Sequence, residues 1–233
     1  MSETAGASET ESGSPPAQVR VMLRPIGSPL TVGLSGLGIA SLVESGLALG
    51  WVPAAQTREV GVILICVPFV LQLLACVFSY LARDGAAGAA VGVLSTTWLG
   101  TGVLHVISGG GGRTGALGLL LLAAAFALAV SATSVSRANR LAGLVFFGAA
   151  LRFGLAGVYE VGAPGAWDHA AAIVGLAVCG AVAYATLAFE LEGQQRRSVL
   201  PTFRHGRGRV RPGGEQGEQP HVLAGEPGVR QTS

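Results

Sequence analysis

From Ser28 to Glu192 the sequence is almost wholly apolar, and short polar or Gly/Pro-rich connections interrupt it five times. The six stretches so defined span about 29–52, 60–81, 88–107, 115–135, 141–161 and 168–191. Each meets the roughly 20 helical residues needed to cross a bilayer. The pattern predicts an all-α membrane protein of six transmembrane helices. The breaks carry turn residues: Pro53 with Arg58 and Glu59, then Arg83-Asp84-Gly85, the glycines from Gly109 to Gly112, Arg137-Ala138-Asn139-Arg140, and Gly162-Ala163-Pro164-Gly165. Pro29 suits a first helical turn, and Pro68 predicts a kink within the second span. Residues 1–27 and 193–233 are polar and rich in Ser, Gly, Pro or Arg, which predicts a disordered tail at each end of a 28–192 membrane domain.

Composition sharpens this picture. Half the residues are hydrophobic, only 12% are charged, and the mean hydropathy is +0.56. A soluble domain carries about 25% charged residues. The 36 glycines suit close helix packing, and Gly46-Leu47-Ala48-Leu49-Gly50 and Gly88-Ala89-Ala90-Val91-Gly92 are GxxxG patterns. Cys66, Cys76 and Cys179 all lie in apolar stretches and form no CxxC pair, so a disulfide framework or a zinc site is not expected. No signal-peptide pattern is visible over residues 1–19. All fifteen basic residues are Arg. Six spans put both termini on one side, and twelve arginines fall there, against Arg58 and Arg113 on the other. This asymmetry predicts cytoplasmic termini in a multi-pass protein of the plasma (inner) membrane.

Charge at membrane depth marks candidate function. Arg152 sits near the middle of the fifth stretch, and Glu44 lies in the second half of the first. One reading has Arg152 facing a water-filled path and attracting an anion, balanced by Glu44. The other is structural, an Arg152–Glu44 or Arg152–Glu160 pair tying helices together. Glu160 and Glu190 end their spans, where a carboxylate can sit in the interface. His105 reads as a packing residue, and no second histidine is placed to make a haem or metal site. Gln72 and Ser95-Thr96-Thr97 either line a path or bond between helices. Gly33-Leu34-Ser35-Gly36 matches the GxSG of intramembrane serine proteases, but no histidine from a late span is placed to serve Ser35. The basic run from Arg204 to Arg211 suits anionic lipid headgroups or simply reinforces topology. No cofactor and no nucleic-acid partner is expected.

Three places resemble the acetate uptake transporter family, also called the acetate–succinate permease family. Ser28-Pro29-Leu30-Thr31-Val32-Gly33-Leu34 with Gly36 and Gly38 is similar to its Asn-Pro-Ala-Pro-Leu-Gly-Leu motif and following Gly-x-Gly. The run from Arg137 to Phe146-Phe147 is similar to the basic turn and Phe-Phe opening of its fifth span. Gly180 to Tyr184, Glu190 and Arg197-Ser198-Val199-Leu200-Pro201 are similar to its sixth span and Arg-Thr-Val-Leu-Pro exit. Gln72 and Tyr80 stand where the family has Gln and Tyr. The resemblance covers about 28–201. It implies six-helix protomers, each with a path for small carboxylates such as acetate or succinate, with protons as a candidate coupling ion, in a homo-oligomer that is hexameric in bacterial members.

The chain also departs from the family. Of the first motif only Pro29, Gly33 and Leu34 remain, with Ser28 in place of Asn. The Phe, Tyr and Leu that narrow the family's path align with Leu37, with Ser95 or Thr96, and with Ala149, so the aromatic gate is missing there. Ser79 replaces a Glu, and Arg152 stands where the family is apolar. The expected function is membrane transport of small organic anions, acetate or other short monocarboxylates first. Leu37, Gln72, Ser95, Thr96, Ala149 and Arg152 are the candidates to line the path, with Glu44 as counter-charge. The alternatives are a non-transporting membrane scaffold or sensor derived from the family, and an intramembrane hydrolase built on Ser35.

Overall fold

The structure, a computed structural model, describes residues 28–110, 112–195 and 200. Most of both predicted tails, the basic run 204–211 and all of the 197–201 motif except Leu200 lie outside the described residues. The helices are α1 (Leu30–Ala48), α2 (Thr57–Cys66), α3 (Pro68–Leu81), α4 (Gly85–Ser108), α5 (Gly115–Ala138), α6 (Arg140–Glu160) and α7 (Ala166–Gln195), with a short 3-10 turn at Ala54–Gln56. Among the described residues there is no strand. In hydrocarbon every backbone group needs a partner within its own segment, which favours this all-helical solution. Among the described residues six segments are long and apolar enough to span a membrane, with α2 and α3 together making the second, Ala54–Leu81.

Local chemistry sets the helix ends. Asp84 caps α4 by accepting the Ala87 N–H at 3.1 Å, and Asn139 caps α6 by accepting the Ala142 N–H at 3.1 Å. Gly109 closes α4 in the left-handed conformation at φ 56°. The predicted kink is present: Pro68 has no N–H to continue α2, and the axis breaks at Val67 (φ −115°, ψ −75°). The first helix stops earlier than expected. Gly50 has φ 74°, and the N–H groups of Trp51 and Val52 both donate to the Gly46 carbonyl. The Gly46/Gly50 pattern therefore forms a helix end rather than a packing seam. Gly88 and Gly92 do pack, against Tyr80 and Cys76 of α3.

The spans form a closed ring. Each packs on its neighbours in sequence, and α1 closes on α7. Leu34, Leu37, Leu94, Trp98, Phe146 and Phe153 fill the interior, while Leu119, Phe126, Leu144 and Ile173 point outward. Such exposed apolar side chains suit a lipid-facing surface. At two crossings the backbones themselves meet. A Cβ on Gly61 would lie 2.6 Å from the Gly102 carbonyl oxygen, where α2 crosses α4, and one on Gly118 would lie 3.0 Å from that of Gly157, where α5 crosses α6. Only glycine allows both approaches.

Candidate functional site

The two crossings flank the end of the ring where α1, α4 and α6 finish and α5 and α7 begin. A cavity of about 50 Å³ lies there, lined by residues of all five helices. It is several times the ~10–15 Å³ that holds one water. Its lining recurs at helical spacing: Glu44 and Ala48 on α1, Trp98, Thr101 and His105 on α4, Arg152, Ala156 and Glu160 on α6. Asp168 and Tyr159 complete the polar set.

Arg152 is 5% exposed. Its guanidinium carbon sits 5.2 Å from the Trp98 ring centre and 5.7 Å from that of Phe153, close enough for cation–π attraction. Trp98 and Phe153 meet edge to face at 5.0 Å. Among the described residues Arg152 has no ion pair, and its Nε–H has no acceptor. On the α7 side Gly175 leaves the room it needs: a Cβ there would fall 2.7 Å from Arg152 Nε and would also strike Ser45 Oγ. The Ser41, Ser45, Trp98 and Thr101 donors are likewise buried without partners.

Glu44 pairs differently from either sequence reading. Its carboxylate meets His105 Nε2 at 3.0 Å, so the direct contact joins α1 to α4 and Arg152 stands apart from it. His105 is thus more than a packing residue. Glu160 is also engaged elsewhere than with Arg152: it accepts the Thr114 N–H at 2.7 Å, satisfying a donor at the start of α5.

Of the lining candidates, the cavity takes in Arg152 and Glu44. Leu37 and Ala149 are buried in the interior. Gln72 donates to the Gly33 carbonyl at 3.2 Å, tying α3 to α1, and Ser95 donates to the Phe69 carbonyl at 3.0 Å, tying α4 to α3. Thr96 is exposed on the outer face, and its hydroxyl bonds back to the carbonyls of Gly92 and Val93. Within the motif, Gly33 and Leu34 are buried, Ser28 is exposed, and Pro29 precedes α1. A Cβ on Gly33 would lie 2.9 Å from Val91, so this glycine seats α1 against α4. Ser35 donates to the Thr31 carbonyl at 2.9 Å, and no base approaches it among the described residues. Nor is the interior stripped of aromatic bulk. Trp98, Phe146 and Phe153 supply it from positions other than the three aligned with the family's gate.

Sequence reading missed Trp98, Thr101, Asp168 and Gly175. The spacing of Trp98, Thr101 and His105 along one face of α4 was the available signal.

No protein-family model matches this sequence, and no curated protein matches it. In fold the chain is similar to the bacterial acetate channel SatP, with a TM-score of 0.69 and 19% sequence identity over 76% of this chain and 99% of that one. The likeness is one of fold, and it extends over nearly the whole of that chain.

Proposed function

We propose that this protein carries small organic anions across a membrane, short monocarboxylates such as acetate first, along a path inside the ring. One observation carries the reading: Arg152 is buried at the cavity with no ion pair among the described residues and an Nε–H that lacks an acceptor. A buried cation of this kind is expensive in a membrane, and a carboxylate would complete it with a charge-assisted hydrogen bond. The likeness in fold to an acetate channel supports the same direction. Leu37 and Ala149 continue the proposed path inward from the cavity. The arginine asymmetry supports cytoplasmic termini in the plasma membrane, which puts the cavity on the outer side. The sequence resemblance supports a homo-oligomer with one path per protomer, hexameric as in the family's bacterial members, and proton coupling.

Uptake of radiolabelled acetate and succinate into proteoliposomes, with and without an inward proton gradient, tests this. Saturable uptake that Arg152→Leu abolishes is the expected result, and dependence on the gradient separates a carrier from a channel. Equal uptake by Arg152→Leu protein that inserts and melts like wild type would refute it.

A further inference from the structure

The cavity holds more carboxylates than a plain anion site calls for. Glu44, Glu160 and Asp168 line it beside Arg152 and His105. Two of these acids have partners: Glu160 accepts from Thr114, and Glu44 meets His105. The Asp168 carboxylate, half-buried, has neither a hydrogen bond nor an ion pair among the described residues. The acids do not gather with other ligands into a metal-holding group among those residues. Facing the same cavity are Arg152, Trp98 and Thr101, each at least 95% buried and each with an unpartnered donor: Nε–H, Nε1–H and the hydroxyl.

Acetate would satisfy these donors, but it offers nothing to the acids, and their formal charges repel it. A ligand that also carries a cationic donor uses both halves of the lining. We propose that the cavity binds a small zwitterion, an amino acid of the size of glycine or β-alanine. Its carboxylate lies on Arg152 with Trp98 and Thr101, and its ammonium lies toward Asp168 and the Glu44 carboxylate. The cavity of about 50 Å³ leaves no room for a bulky side chain. This inference rests on reading the cavity as a carboxylate site.

Competition binding on the purified full-length protein tests it, with labelled acetate displaced by glycine, β-alanine, propionate or glycolate. Glycine or β-alanine should compete at concentrations at least tenfold lower than propionate, which matches glycine in size but lacks the ammonium. Asp168→Asn should collapse that ratio towards one, and Asp168→Glu should restore it. Acetate binding with no advantage for the amino acids overturns the zwitterion and leaves the carboxylate site standing. Glycolate outcompeting glycine also overturns it, by making a hydroxyl the second group recognised. If neither acetate nor amino acid binds protein shown to be folded by its melting curve, both readings fall. The ligand comparison is made on wild type, so it stands even where the Asp168 variants fail to fold.

Discussion

Gly61→Ala puts the α2–α4 crossing under strain. The added methyl would sit 2.6 Å from the Gly102 carbonyl oxygen and 2.9 Å from His105 Cβ. The first neighbour is backbone and cannot rotate away, so the helices must separate. Overpacking of this kind costs about 1–3 kcal/mol. At about 2–4 °C per kcal/mol for a chain of this length, the melting temperature should fall by about 2–12 °C. The reciprocal Gly102→Ala should behave alike, since its methyl would lie 2.7 Å from the Gly61 carbonyl oxygen. Once one substitution has parted the helices the second meets less resistance, so the double variant should lose less than the two single losses added. Gly180→Ala is the control, an α7 position with nothing within 4 Å of the new methyl. Melting of wild type and the four variants in detergent, followed by tryptophan fluorescence, reads all of this. A Gly61→Ala melting temperature equal to wild type's, or strictly additive losses, would refute the backbone contact as the determinant of the crossing.

The Glu44–His105 contact at 3.0 Å is mostly buried, so a double-mutant cycle with Glu44→Gln and His105→Leu should show a coupling of about 1.5–3 kcal/mol in melting experiments. Gly175→Ala would push on Arg152 Nε and Ser45 Oγ; it should lower anion uptake in proteoliposomes by more than it lowers melting temperature, because long side chains yield where backbone does not. Thr96→Val removes a hydroxyl that bonds only to its own helix on the outer face, and uptake should remain at the wild-type rate.

Much of the fold was legible because a bilayer imposes a length and a polarity that a linear sequence displays directly. The six spans, the turns that separate them and the break at Pro68 are local events, set by residues within one turn of where they act. The site was legible only by kind. Glu44 and Arg152 stand out as charges among apolar neighbours, and both reach the cavity. Their partners do not stand out, because partnership depends on how helices far apart in sequence rotate against each other: Glu44 and His105 are 61 residues apart. The close crossings follow the same logic. Gly61 and Gly102 belong to different spans and to no shared motif, whereas Gly46 and Gly50 have the motif and end a helix instead. Gln72, Ser95 and Thr96 are polar at membrane depth and look alike in sequence, yet two of them tie helices together and the third faces outward.

The closure of α1 on α7 also orders the protein's birth. The ribosome releases α1 first and α7 last, so the two spans that shut the ring are the two most separated in time of synthesis. When α6 enters the bilayer, Trp98 is already there to receive Arg152, but the α7 wall carrying Gly175 and Asp168 is not. An arginine near a helix centre costs about 2.5–3.5 kcal/mol on insertion, and the nascent chain carries that cost on an unfinished, open-sided bundle. A chain halted before α7 would keep its guanidinium against lipid. Arrival of α7 is therefore the event that encloses Arg152.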